Sequence, residues 1–521
     1  MASIIKYRGQ WLLVLASLWL LAGCSTNPVT GRSELMLISE RQEISTGEQH
    51  YRANQQLGGG LYHVDPEVTR YIQEVGHRLA AVSERPHLPY EFVVLNTSVP
   101  NAWALPGGKI AINRGLLVEM DSEAELAAVL AHEVVHAAAR HGAQRIQRGL
   151  FLNLGLIAVA VAIDEHDHRD LLLTGANLGA QLIFARYSRT AEREADYHGM
   201  VYMSRTGYDL QAAVHLMETF VRLSEGRARG WIEGLFASHP ASQERVELNR
   251  QAAAELPSGD FLGREEYHQR LATLMSTREA YQKHDQGRRA LREDDPGQAL
   301  RLANEAIRLE PREALFHGLL GDAHRAAGRY AQAVAAYDAA IRRNDDYFQF
   351  WLQRGLTRES LRQLSAARDD LTHSNTLLET AVAHNGLGRI ALARKERATA
   401  IGHFETAATA TGPEGEAARQ HLARLLIGEQ PGRFVRVAAQ YDSQGRLSLA
   451  VTNQAALPVG AVVVQVERRD ADNQLVARQQ VTVSGPIPPQ NTARATTRIG
   501  SVAEAERDGV SLSVVRARVI E

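Results

Sequence analysis

Glycines recur at Gly287, Gly321, Gly355 and Gly388, spaced 34, 34 and 33 residues apart. Twelve residues after each stands an alanine: Ala299, Ala333, Ala367 and Ala400. Four further on come Ala303, Tyr337, Leu371 and Phe404. Of all the features in these 521 residues, this period constrains the fold most. A unit of that length is one helix–turn–helix that buries its apolar face only against the next unit. The small residues let paired helices approach, and the bulky ones fill the layer between them. Pro311 closes the first unit, and Glu416 to Ile427 reads as a capping helix. The expectation is an α-solenoid over residues 280–428, with a concave surface for peptides or protein partners.

The composition changes after Gln430-Pro431-Gly432. Leu447 to Thr452, Val462 to Glu467, Val476 to Val483 and Val510 to Val519 are β-rich, with turns at Asp472-Asn473 and Gly485-Pro486. They predict a small β-sandwich over residues 433–521, with a docking or spacing role.

The chemistry lies upstream, in His132-Glu133-Val134-Val135-His136. This stretch sits in an apolar, alanine-rich run, Ala124 to Ala139, that reads as a helix. Residues four apart share a helix face, so His132 and His136 can aim two imidazoles at one zinc ion. Glu133 then projects beside the metal as general base. Burying these three groups in an apolar helix costs several kcal/mol unless they are paired or metal-bound.

A catalytic zinc usually takes three protein ligands. His141 follows His136 by five residues, which fits no established pattern, and reads as a solvated or capping residue at the helix end. Ser188 to Asp196 (SRTAEREAD) is a better source. There Glu192 and Asp196 share a face, so that Glu192 can bind zinc while Asp196 accepts the free N–H of a ligand histidine. Glu194 points elsewhere and reads as a surface or salt-bridge residue.

HEVVH followed some fifty residues later by SRTAEREAD resembles the gluzincin zinc metallopeptidases of the HtpX and CaaX prenyl protease family. The resemblance implies a mainly α, zincin-like peptidase domain with a small β-sheet over residues 40–255. It implies one zinc held by His132, His136 and Glu192, with Glu133 as base and Asp196 behind a ligand. Asn101 to Ile112 also matches the family, which implies that the segment after Gly107-Gly108 is an edge strand beside the cleft. An open edge can hold an extended peptide. His239-Pro240 and Arg245 resemble a later element. Arg245 would stabilise the oxyanion, and His239 either does the same or occupies the metal's open position. In a structural reading, Pro240 merely starts a helix and Arg245 makes a surface pair. The spacing in the repeats is that of the tetratricopeptide pattern, and peptidase plus repeats is similar to the BepA-like periplasmic branch. That branch implies quality control of outer-membrane proteins, with unfolded or misassembled envelope proteins as substrates and outer-membrane assembly machinery as a partner of the repeats.

Lys6 and Arg8 precede an apolar run, Trp11 to Ala22, too short to span a bilayer. With Leu21-Ala22-Gly23-Cys24 it resembles a lipoprotein signal peptide, residues 1–23, and implies a lipid on Cys24, the sole cysteine. Residues 24–39 then form a tether, in which Ser39 or a neighbour caps a helix starting near Glu40. Ser25 rather than Asp favours the outer membrane, facing the periplasm. A single cysteine excludes an internal disulfide, and a net formal charge of −2 gives no hint of nucleic acid. Two apolar runs, Gly149 to Ile163 and Leu171 to Ala185, read as a helical hairpin, and His166 and His168 as part of its solvated tip. Residues 256–279 read as a connecting helix.

The chain is therefore expected to be a multidomain zinc endopeptidase. One rival is a latent or inactive protease acting as a chaperone or scaffold through its repeats. A second is a processing enzyme with one dedicated substrate.

Overall fold

A computed structural model describes residues 24–149, 187–226 and 239–520. The expected signal peptide, the apolar hairpin beyond Gly149, and His166 and His168 lie outside the described residues. The chain divides into two compact units, one ending at Phe350 and the other beginning at Trp351. Among the described residues no helix is long and apolar enough to cross a membrane.

In the first unit the segment expected as a tether is folded. Strand β1 (Cys24–Thr26) pairs antiparallel with β2 (Ser33–Leu35). Asn27, which is buried, accepts from the Val29 and Thr30 N–H groups through Oδ1 and donates to the Ala139 carbonyl through Nδ2 at 3.3 Å. Gln147 donates to the Leu35 carbonyl at 2.8 Å and accepts from the Leu37 N–H at 2.6 Å. Helix α1 (Glu40–Leu57) follows, with Ser39 and Gln42 forming a capping box. Asp65 caps α2 (Pro66–Ala80), whose Val68, Ile72, Val75 and Leu79 bury one face.

Strand β3 (Glu91–Leu95) runs parallel to β5 (Lys109–Asn113), and β4 (Ala102–Leu105) antiparallel to it, in the order β3-β5-β4. Gly107 and Gly108, with φ of 79° and 84°, make the turn between β4 and β5. The sequence expectation is corrected here. The strand after the glycines is central, because β3 adds to its far side, and among the described residues β4 is an edge.

Helix α3 (Glu123–Ala138) carries the HEVVH residues. Ser122 caps it by accepting the Glu125 N–H. Buried Glu123 accepts from Tyr71 (2.8 Å), Tyr208 (2.6 Å) and Arg78 (3.0 Å), fixing a carboxylate at the positive helix end. At the other end Arg140, with φ of 62°, turns the chain, and residues 141–149 are helical again. Buried Arg85 holds this end: it donates to the Ala137 carbonyl at 3.2 Å, to both oxygens of buried Glu43 and to Glu40. Helices α4 (Arg189–Arg205), α5 (Gln211–Gly226) and α6 (Gln243–Glu255) complete the frame. Gly199 lets α4 lie against the backbone of α3, since a Cβ there would come 3.2 Å from the His132 nitrogen.

The stretch expected as one connecting helix is broken into Arg264–Arg270 and Ala272–Ser276. The repeats follow as helix pairs: Arg278–Arg292 with Pro296–Leu309, Ala314–Ala326 with Tyr330–Ile341, Phe348–Ser360 with Leu364–Leu377, and Ala381–Ala393 with Arg397–Ala408, before a last helix, Pro413–Leu426. The repeat glycines are contact points. A Cβ on Gly321, Gly355 or Gly388 would come 2.5, 2.8 or 2.5 Å from Tyr337, Leu371 or Phe404, each sixteen residues on. In the first repeat that position is Ala303, and Leu319 lies 2.6 Å from the site instead. Asp294, Gly328, Arg362 and Lys395 occupy the matching turn position, all with positive φ. Tyr337 cannot yield easily, because its hydroxyl donates to Asp322 at 2.7 Å. Gly321→Ala is therefore expected to destabilise the repeats by about 2 kcal/mol. A thermal melt followed by circular dichroism reads the effect, and an unchanged midpoint would show that the Tyr337 ring moves freely.

In the second unit two three-stranded antiparallel sheets form, ordered β10-β7-β6 and β11-β8-β9. Their strands are β6 (Val435–Tyr441), β7 (Arg446–Asn453), β8 (Val459–Arg469), β9 (Leu475–Thr482), β10 (Thr492–Ser501) and β11 (Val510–Val519). Alternate residues of β7 (Leu447, Leu449, Val451) and of β8 (Val462, Val464, Val466) share one apolar core.

Candidate metal centre

The four-residue spacing places the two histidines on one face of α3, as expected. Their Nε2 atoms lie 3.0 Å apart. From α4, capped by Ser188, Glu192 brings Oε1 to 3.5 Å from His136 Nε2 and Oε2 to 3.7 Å from His132 Nε2. His239 brings Nδ1 to 3.2 Å from His132 Nε2 and 3.0 Å from Glu192 Oε1. One ligand atom from each of His132, His136, Glu192 and His239 falls within 4.8 Å of all the others. The set suits a metal ion, since two nitrogens on a tetrahedral ion of zinc's size are about 3.3 Å apart. Neutral imidazole nitrogens at that separation gain nothing from one another without a proton or cation between them.

Behind the cluster, Asp196 Oδ1 lies 3.0 Å from His132 Nδ1. Arg245 clamps Asp196 through Nε and Nη2, each at 2.7 Å, and its Nη1 lies 2.9 Å from Glu192 Oε2 and donates to the Pro240 carbonyl. The sequence expectation of Arg245 as an oxyanion donor gives way here to geometry, because its guanidinium is committed to two carboxylates and a carbonyl. Nor is it a surface pair: it is 6% exposed.

Glu133 is buried beside the cluster. Oε1 lies 3.6 Å from His239 Nε2, and Oε2 has no hydrogen-bond partner among the described residues. Burial raises its carboxyl above the usual range, against the pull of His239 and His132. Burial likewise drives His136 well below the ordinary histidine value. It would raise Glu192 too, but His239, His136 and His132 outweigh it and hold that carboxyl well down. Asp196 is lowered in the same way by Arg245.

Around the cluster the structure corrects the reading of His141 and adds Tyr187, which the sequence reading had not placed. His141 is not solvated: it is 3% exposed, with Nδ1 3.0 Å from His136 Nδ1 and Nε2 3.2 Å from Glu194 Oε2. Glu194 makes the salt bridge that the sequence allowed it, to Arg32 at 2.9 Å. Tyr187 stacks on His136, with ring centroids 3.8 Å apart, and donates to the Ala104 carbonyl on edge strand β4 at 3.3 Å. Burial pushes its phenol up to about 12. No pattern in a single sequence marks it.

Residues 66–252 match Peptidase family M48. Residues 284–348 match the tetratricopeptide repeat, so the chain carries an M48 peptidase domain followed by such repeats. It is similar to the beta-barrel assembly-enhancing protease of Escherichia coli, 29% identical over 44% of this chain and 48% of that one. It is also similar to the mitochondrial metalloendopeptidase OMA1 of Schizosaccharomyces pombe, 36% identical over 34% and 51%. Among solved structures, MamA from Desulfovibrio magneticus is 22% identical, covering 29% of this chain and 85% of that one, with a TM-score of 0.27. The chain spans about half the length of the curated relatives it matches.

Proposed function

We propose that this chain is a zinc-dependent endopeptidase of the bacterial envelope, acting on unfolded or misassembled envelope proteins and held latent by His239. The observation that carries the reading is the four-donor cluster with Glu133 beside it, buried and partly unpartnered. His132, His136 and Glu192 hold the metal. Zinc bound there supplies Lewis acidity toward water and a peptide carbonyl. Glu133 accepts a proton from the attacking water at a carboxylate oxygen and returns it to the leaving amine. Asp196 and Arg245 are positioning residues: they fix the His132 ring and the Glu192 carboxylate. An extended substrate pairs with edge strand β4, where Tyr187 now holds the Ala104 carbonyl. Beside Glu133 an apolar recess of about 60 Å³, bounded by Met200, Met203, Met217 and Phe220, suits one apolar substrate side chain.

His239 Nδ1 stands as a fourth donor where a working site needs an open position. It therefore favours latency, and with it a scaffold role for the repeats until substrate displaces the imidazole. The name of the Escherichia coli relative supports envelope quality control, with assembly machinery as a partner of the repeats. For the rest the reading is a signal peptide over 1–23, a peptidase domain over 40–255, tetratricopeptide repeats over 280–428 and a β-sandwich over 433–521, while 24–39, expected as a tether, is a docked segment and 256–279, expected as one connecting helix, holds two. We also keep a lipid on Cys24 in the outer membrane.

The test is cleavage of an unfolded outer-membrane protein by the zinc-loaded chain, with cut sites mapped by mass spectrometry. His239→Ala is expected to cleave about ten times faster than the wild type, because each 1.4 kcal/mol of released competition is tenfold in rate. Cleavage should stop on chelation and return with zinc. A His239→Ala protein that binds zinc yet cleaves no faster removes the latch, and one repeated cut site points to a dedicated substrate.

A further inference from the structure

The ligand histidines impose a condition on what lies behind them. To offer Nε2 to a metal, each ring must carry its proton on Nδ1 and donate it. His132 donates to Asp196, which is paired with Arg245. Among the described residues no carboxylate lies at that distance from His136 Nδ1. Its Nδ1 meets His141 Nδ1 at 3.0 Å, and only one arrangement of protons satisfies the contact. His136 donates, His141 Nδ1 accepts, and the His141 proton sits on Nε2, facing Glu194 Oε2 at 3.2 Å. The other oxygen of Glu194 accepts from Arg32 at 2.9 Å. Both ligand histidines thus end on a carboxylate–arginine pair, but in the second chain the arginine belongs to the N-terminal hairpin. That hairpin is fastened to the same helix end by Asn27 to the Ala139 carbonyl and by Gln144 to Glu34.

We propose that His141, Glu194 and the N-terminal hairpin, through Arg32, form a second support chain that orients the metal ligand His136, so that residues 24–35 are a working part of the metal centre. His141 is a positioning residue, whose task is to hold the His136 ring in the tautomer and orientation that metal binding requires. The turn at Arg140 makes this possible, since it ends α3 and brings His141 back beneath His136. The inference rests on the metal reading of the cluster but not on peptidase activity.

The experiment measures zinc affinity of the full-length chain by competition with a chromogenic chelator, together with the absorption spectrum of the cobalt(II) form. His141→Leu keeps bulk and removes the acceptor, and is expected to bind zinc about 10- to 100-fold more weakly. His141→Gln restores an acceptor oxygen and is expected to recover most of that loss, with the wild-type cobalt spectrum. Arg32→Glu changes an exposed residue, so folding is not at stake. It sets a like charge against Glu194 and is expected to weaken zinc about three- to tenfold at low salt. If His141→Leu and His141→Gln bind zinc equally well, the proposal fails for His141. If Arg32→Glu matches the wild type, it fails for the hairpin. A His239→Ala protein that binds zinc but cleaves no unfolded protein defeats the peptidase reading alone.

Discussion

Glu133→Gln is expected to lower hydrolysis of an unfolded protein about 10³-fold while zinc content stays at the wild-type level. The two results separate because Glu133 lies beside the four donors and is not one of them. Gln keeps the shape of the side chain and removes only the ability to take a proton. The raised carboxyl of Glu133 suits that task, since a carboxylate closer to neutrality both accepts and returns a proton. The comparison is best made in the His239→Ala background, where the open position is available. Equal cleavage by both proteins would show that another group carries the proton. Loss of zinc in Glu133→Gln would show that Glu133 is part of the binding set.

Arg85→Met is expected to destabilise the peptidase domain by about 3 kcal/mol, near the lower end of what breaking a buried ion pair costs. The side chain is buried, and its removal leaves Glu43 with Arg140 alone at 3.0 Å and the Ala137 carbonyl without this donor. For a domain of this size that corresponds to a fall of roughly 6–12 °C in the melting temperature. The double variant Arg85→Met with Glu43→Leu is expected to recover a good part of the loss, because apolar pairs often replace buried ion pairs without penalty. Calorimetry decides. Equal losses in single and double variants would mean that the packing of Arg85 matters and its charge does not.

The helical part of the four-donor cluster was legible because helices turn four-residue spacing into shared faces: His132 with His136, and Glu192 with Asp196 behind it. The repeat register was legible for a related reason, as Gly321, Gly355 and Gly388 each answer a bulky residue sixteen positions on. The turns between repeat helices were not, since only Gly328 among the four matching residues is a glycine. His141 was misread for the same kind of reason. Five residues is the wrong spacing for one helix face, and only the left-handed Arg140 makes it the right one. The edge strand was misassigned because β3 joins β5 from a distance along the chain, and local pattern cannot rank two neighbours of a central strand. Tyr187 reaches His136 through tertiary packing that leaves no periodic trace.

The folded N-terminal hairpin alters what a lipid on Cys24 would mean mechanically. Only Ser25 and Thr26 separate Cys24 from Asn27, which is bonded to the helix end beyond His136, so the candidate metal site would stand within about 20 Å of a lipid-bearing Cys24. A slack leash would let such an enzyme sweep the periplasm. A bracket this short would fix its working height instead, and would restrict it to chains that stall at the membrane surface.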